Sequence, residues 1–272
     1  MSPTQSAATS SQQNAAEPRA VVVTGAASGI GEACSRLFAA RGDTVFLLDR
    51  DVEAGGQLAS RLGPGCAFLE VDVANPASVA AAFYRVSAEA GRLQVLINSA
   101  GVESTALLSR LPEEEWDRVL DVNLKGTMLC TQAAVALLRA AGGGSVVNVA
   151  SIAGKRISYS GGVAYTASKG GVLGFTRHAA FELAADRIRV NAVCPGPTLT
   201  PMIRRNLEQA RIDAVVASIP LGRWVMPEEV AEVAAFLAGP AAAMCTGTSI
   251  DVDGGVLVSN GSRYQDYFAA RA

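Results

Sequence analysis

"VVVTGAASGIGEACSRLF", residues 21–38, is the stretch that decides the fold. Its β-branched start reads as a buried strand, its glycine cluster as a tight turn, and the remainder as a helix. The glycines are Gly25, Gly29 and Gly31, spaced G-x-x-x-G-x-G rather than the commoner G-x-G-x-x-G. The physics is shared: without a Cβ the backbone can approach a pyrophosphate, whose charge meets the free amides of a helix N-terminus. A glycine triplet alone says little, because turns are rich in glycine. Set directly between a buried strand and a helix, it marks a dinucleotide site with Thr24, Ser28 and Ile30 beside it.

Further along, "TVFLLD" (44–49), "CAFLEV" (66–71), "LQVLIN" (93–98), "SVVNVA" (145–150), "IRVNAV" (188–193) and "TSIDV" (248–252) join "AVVVT" (20–24) as strands. They are apolar almost throughout, as strands covered on both faces must be. Helical patterns fill the gaps at 29–41, 51–62, 76–91, 113–140, 163–185 and 227–239. The alternation predicts an α/β fold: a doubly wound parallel sheet of about seven strands between two helical layers. No change of composition interrupts it, so 19–272 reads as one domain. The Ser/Gln/Ala-rich segment 1–18 is expected to be a disordered tail without the features of a secretory signal.

The 272 residues are 50% hydrophobic and 18% charged, with a formal net charge of −2. That balance supports a large core and argues against nucleic acid or an anionic membrane as partner. The five cysteines (34, 66, 130, 194, 245) show no ligand-like spacing, which fits reduced thiols in a cytoplasmic protein and no metal site. The single histidine, His178, has no nucleophile elbow to serve. Helices 113–140 and 163–185 carry apolar or small residues nearly all round, so each is expected to meet the sheet on one side and another subunit on the other.

Other strand ends carry polar or small residues in series. Asp49 stands where a carboxylate accepts from adenosine ribose hydroxyls and repels a 2′-phosphate, favouring NAD over NADP, although the neighbouring Arg50 could hold that phosphate. Asp72 and Val73 follow the third strand, with Asp72 a candidate acceptor for an adenine amino group. Asn98, Ala100 and Gly101 follow the fourth, as a cofactor floor.

In "VAYTASKGG" (163–171), Tyr165 and Lys169 are one helical turn apart, with β-carbons about 5–6 Å from each other. A free tyrosine titrates near 10, too high for a base at neutral pH. A nearby ammonium and a positive nicotinamide ring favour phenolate, so a lowered value is expected. Ser151 closes the fifth strand, where its hydroxyl can bind a substrate oxygen.

The segments "TGAASGIG" (24–31), "NSAG" (98–101), "DVNLKG" (121–126), "VVNVASIAG" (146–154), "YTASK" (165–169) and "VNAVCPGP" (190–197) lie in the order and at the spacing of one family. Over about residues 20–255 the chain resembles the short-chain dehydrogenases/reductases, in their shorter single-domain branch. Ser99 departs from the second Asn more usual there. The resemblance implies a Rossmann-type fold and a tetrad of Asn123, Ser151, Tyr165 and Lys169, with Asn123 disturbing its helix and helping to hold a water. It also implies that Lys169 holds the nicotinamide ribose, and that Pro195, Gly196 and Thr198 meet the nicotinamide. A mobile lid is implied over about 199–225, in which Met202, Ile203, Leu207 and Trp224 suit an apolar substrate portion, while Arg204, Arg205 and Arg211 face water or an acidic group.

The expected activity is NAD-dependent interconversion of a secondary alcohol and a ketone, in a cytoplasmic homotetramer. An NADPH-dependent 3-oxoacyl-thioester reductase shares nearly all these motifs. A non-catalytic dinucleotide sensor has no need of the Ser-Tyr-Lys set. Glu103, Ile152, Ala153 and Tyr159 are substrate-facing candidates.

Overall fold

A computed structural model describes residues 18–158, 160–200, 208–259 and 264–271. Residues 1–17 of the expected tail, Tyr159, and the lid residues Met202, Ile203, Arg204, Arg205 and Leu207 lie outside the described residues, as does the Arg211 side chain.

The seven strands are β1 (Ala20–Thr24), β2 (Thr44–Asp49), β3 (Cys66–Glu70), β4 (Val95–Asn98), β5 (Gly144–Val149), β6 (Ile188–Pro195) and β7 (Ser249–Val252). They pair in the order β3-β2-β1-β4-β5-β6-β7, every pairing parallel. The order reverses between β1 and β4, which opens a crevice at their carboxyl ends, the place where such sheets bind ligands. Successive side chains of a strand point to opposite faces. Val21, Val23, Val45, Leu47, Val95 and Ile97 therefore enter one core, and Val22, Phe46, Leu48 and Leu96 the other. Each fully buried valine or leucine contributes about 1.5–3 kcal/mol relative to exposure.

The first core is covered by α1 (Gly29–Ala40), α2 (Val52–Leu62) and α8 (Pro227–Ala238), the second by α3 (Pro76–Ala90), α5 (Gly126–Ala140) and α6 (Val163–Leu183). Three further helices are α4 (Glu113–Leu120), α7 (Gln209–Ala217), which lies within the segment expected as a lid, and the C-terminal α9 (Tyr264–Ala269). The helix expected over 113–140 is not regular: a π-helical turn, Asp121–Lys125, separates α4 from α5. Strand β6 runs on through Cys194 and Pro195, because Val252 on the edge strand pairs with Pro195 without needing its missing N–H.

Candidate active site

The β1–α1 turn is shaped by what its glycines leave out. Gly25 and Gly29 have φ of +65° and +54°. A Cβ on Gly25 would stand 2.7 Å from the Ala100 Cα, and one on Gly31 would stand 2.0 Å from the Gly25 carbonyl oxygen. Thr24 Oγ1 accepts from the Ser99 and Ala100 amides at 3.1 and 3.2 Å, fixing the turn to the end of β4. Asp51 caps α2 by accepting from the Ala54 amide, and Asn75 caps α3 through Ala77 and Ser78. Ser28, the N-cap of α1, makes no such bond, so the first amides of α1 stay available to an anion. Asp49 is anchored to the same turn: Oδ2 accepts from the Ala27 amide at 2.9 Å and Oδ1 from the Asp51 amide at 3.0 Å. Two bonds leave acceptor capacity on a carboxylate for a diol. These residues fit the pyrophosphate and ribose of a dinucleotide.

The remaining cofactor candidates divide. Gly101 is exposed and Ala100 half-buried at the end of β4, and Ile30 packs partly against the first core. Asp72 is exposed, its Oδ1 accepting from the Ala74 amide at 2.9 Å. Val73 is buried against Gly126, where a Cβ would come within 2.8 Å of the valine Cγ2, so its side chain seals the floor rather than lining it. Asn98 corrects the sequence reading. Its Nδ2 donates to Asn148 Oδ1 at 2.9 Å and Thr131 Oγ1 at 3.0 Å, and only 3% of the residue is exposed. The side chain turns into a polar network that continues from Asn148 Nδ2 to Thr176 Oγ1 at 2.9 Å, tying β4 and β5 to α5 and α6. Oδ1 of Asn98 is the one buried end of this network without a partner. Beyond β6, Gly196 donates its amide to Val252 and accepts from Thr198 Oγ1 at 3.0 Å, and the loop is pinned to Val225 on both sides of Thr198.

Ser151, Tyr165 and Lys169 converge. Ser151 caps the 3-10 turn Ile152–Gly154, with Oγ accepting from the Ala153 amide at 3.0 Å, and it also hydrogen-bonds the Tyr165 side chain. Lys169 Nζ lies 5.7 Å from the Tyr165 ring centre and donates to the Val149 carbonyl at 2.8 Å. A Cβ on Gly101 would reach within 3.5 Å of that Nζ, so the β4 loop and the dyad meet at one spot.

Burial works against both charges. It pushes the Tyr165 phenol up to about 12, a rise opposed by the Ser151 hydrogen bond and reinforced by the Glu103 carboxylate. It pulls Lys169 down to about 8, opposed by the nearby Cys194 and Glu103. The expectation of a lowered phenol is thus not met in the free protein: desolvation dominates. Tyr165 is held as a proton donor.

Asn123 sits in the π-helical turn and is 1% exposed. Its Oδ1 accepts from the Val102 amide at 2.8 Å, and its Nδ2 donates to the Val102 carbonyl at 2.9 Å and to Ser168 Oγ at 3.0 Å. Ser168 Oγ donates in turn to the Tyr165 carbonyl at 2.8 Å. Asn123 therefore links the loop after β4 to the backbone of the dyad helix. Ser168 was not singled out from sequence, and Cys194 was noted only as one of five dispersed thiols. Ser168 is visible there only as one small residue in "YTASK", with nothing to say which side it faces.

A family model described as enoyl-(acyl carrier protein) reductase matches residues 25–257. The 3-oxoacyl-[acyl-carrier-protein] reductase FabG of Thermotoga maritima is 41% identical over 249 residues, covering 89% of this chain and 99% of the relative. D-threitol dehydrogenase of Mycolicibacterium smegmatis is 40% identical over 243 residues, covering 88% and 93%. Among solved structures, gox2181 superposes with a TM-score of 0.85 at 33% identity, over 89% of this chain and 96% of its own.

Proposed function

The chain belongs to the short-chain dehydrogenase/reductase family, and from that membership we propose roles for its individual side chains. It is an NAD(P)-dependent oxidoreductase acting on an alcohol and carbonyl pair. Tyr165 gives a proton to the carbonyl oxygen in reduction and takes it back from the hydroxyl in oxidation. Ser151, already bonded to Tyr165, binds the reacting oxygen. Lys169 would favour phenolate by its charge and hold ribose hydroxyls. Asn123 positions the loop over the dyad from within the π-helical turn, and would help to hold a relaying water. When bound, the nicotinamide ring gives or accepts the hydride. Gly25, Ser28, Gly29, Ile30 and Gly31 would hold the pyrophosphate, Asp49 the adenosine ribose, Asp72 the adenine, and Pro195, Gly196 and Thr198 the nicotinamide end.

The observation that carries this reading is the convergence of Ser151, Tyr165 and Lys169 beside the β4 loop. The reading extends to NAD as the preferred cofactor, on the ground that Asp49 is locked to the glycine turn while Arg50 is exposed. The likeness to the 3-oxoacyl-[acyl-carrier-protein] reductase FabG supports a second reading, a 3-oxoacyl-thioester reductase, for which NADPH would be the cofactor. A homotetramer through α4–α5 and α6 is supported by Phe181, 84% exposed on the outer side of α6, and by Gly174, whose missing Cβ has no neighbour closer than 4.0 Å. Among the described residues no helix is long and apolar enough to cross a membrane. A cytoplasmic setting is part of the reading, favoured by five free thiols.

Initial rates on secondary alcohols and on a 3-oxoacyl thioester, each with both cofactors, test it. NAD(H) is expected to exceed NADP(H) by about tenfold or more in kcat/KM, the worth of one charge repulsion near 1.4 kcal/mol. Equal rates overturn the cofactor preference. NADH binding without turnover of any substrate points to a sensor.

A further inference from the structure

Among the described residues, Glu103 is the one carboxylate whose charge acts on both members of the dyad. Its backbone is held at three successive points. Val102, before it, exchanges two hydrogen bonds with the Asn123 side chain at 2.8 and 2.9 Å. Its own carbonyl accepts from Arg118 Nη2 at 3.1 Å. Ser104, after it, accepts through its carbonyl from the Gly162 amide, the N-cap of α6. Gly162 is required there, because a Cβ would stand 2.9 Å from that same carbonyl. Tyr165 lies in the first turn of the helix so anchored, and Gly101, two residues before Glu103, abuts Lys169 Nζ.

A loop clamped on both sides fixes the backbone of Glu103 beside the dyad helix. Among the described residues no cation forms an ion pair with it. The guanidinium of Arg118 is engaged with the main-chain carbonyl instead. The carboxylate feels Lys169, and it raises both Tyr165 and Lys169. The residue is exposed, yet partial desolvation raises its own value, opposed by the Lys169 charge. A carboxylate whose charge reaches a buried dyad, without an ion pair among the described residues and partly dried, can accept from a donor on a bound substrate.

We propose that Glu103 is a specificity-determining residue that selects alcohols bearing a hydrogen-bond donor, a hydroxyl or an ammonium, on the carbon next to the reacting carbinol. It disfavours substrates with a carboxylate there. The proposal rests on the dehydrogenase reading above and sharpens it toward vicinal diols and amino alcohols, away from hydroxy acids. A donor on the substrate gains a charge-assisted bond in oxidation as in reduction, because Glu103 takes no part in the proton or hydride transfer.

The test is a matched set assayed for oxidation: 2-butanol, 2,3-butanediol, 3-amino-2-butanol and 3-hydroxybutyrate. Ratios of kcat/KM to 2-butanol are read, since a ratio does not depend on the fraction of folded enzyme. In the unaltered protein the diol and the amino alcohol are expected to exceed 2-butanol by about tenfold or more, in line with a hydrogen bond to a charged group. Glu103→Gln keeps an acceptor but no charge, so the amino-alcohol ratio falls about tenfold, the diol ratio less, and the hydroxybutyrate ratio rises. Glu103→Ala loses both preferences and Glu103→Asp keeps part of each. Ratios that agree within twofold across all four proteins overturn the proposal, as does a preference for 3-hydroxybutyrate in the unaltered protein. If none of the set is turned over, the NADH-loaded protein is titrated calorimetrically with 3-amino-2-butanol. Binding that Glu103→Gln weakens about tenfold sustains the inference while the dehydrogenase reading falls, and binding that ignores the substitution overturns the inference too.

Discussion

At the β1–α1 turn the site is made from side chains that are missing, and at α6 from side chains that are held. Gly25, Gly29 and Gly31 shape the first region by their φ angles and by backbone contacts that leave no room for a Cβ. The second region depends on a relay from Val102 through Asn123 and Ser168 to the Tyr165 backbone, and on Ser151 and Val149 at the end of β5. Both lie at the carboxyl edge of one parallel sheet, so the same seven strands serve two kinds of construction. An added atom damages the first, and a removed atom damages the second.

The largest effect is expected from removing one oxygen at the α6 end. Tyr165→Phe should lower kcat by about a thousandfold, the middle of the range for loss of a general acid–base. NADH affinity, measured by fluorescence titration, should stay within a few-fold because the glycine turn is untouched. Wild-type turnover in the Phe protein would break the separation of roles between the two ends.

Adding one carbon at the other end comes next. In Gly31→Ala the new Cβ meets the Gly25 carbonyl at 2.0 Å, so backbone must move. NADH affinity should fall about a hundredfold, matching an overpacking cost of about 1–3 kcal/mol. In Gly29→Ala the nearest atom is the Thr200 Cγ2 at 3.4 Å, and only the φ of +54° is strained. That costs about 1–2 kcal/mol at most, and affinity should fall several-fold. Titration and thermal unfolding of the pair decide the point; equal losses in both would mean that strain, rather than contact, shapes the turn.

The two regions also differed in how far sequence revealed them. Strands buried on both faces announce themselves as apolar runs, so β1 and β2 were read to the residue, and the glycine turn could be placed between strand and helix. Tyr165, Lys169 and Ser151 were legible as residue types at a meaningful spacing. Their environment was not. Whether Asn98 faces a cofactor or a core depends on Asn148 and Thr131, which lie 50 and 33 residues away in the chain. The π-helical turn at 121–125 follows from no local propensity, since the bonds that occupy Asn123 run to Val102 and Ser168. The direction of the Tyr165 shift is set by burial, a property of the assembled fold. Spacing to Lys169 pointed the opposite way.

The last expected effect is about tenfold for each pH unit, and it joins the two regions. With the phenol pushed to about 12, the phenolate fraction rises tenfold per unit through neutral pH. Oxidation uses phenolate, so its kcat/KM should climb at that slope from pH 7. Reduction uses phenol, which stays protonated to beyond pH 10, and should be flat as far as this group is concerned. Lys169 loses its proton near 8; past that point the ammonium that favours phenolate is withdrawn, and the oxidation slope should bend below unity. The positive charge brought by bound NAD favours phenolate as well, so the midpoint measured at saturating NAD should lie below 12. The distance between that midpoint and the one measured for the phenol in the protein without NAD then gives how much the cofactor held by the glycine turn contributes to proton transfer at α6. A flat oxidation profile from pH 7 to 9, with a primary deuterium isotope effect showing that hydride transfer limits the rate, would remove Tyr165 as the base and cut the link between the two ends.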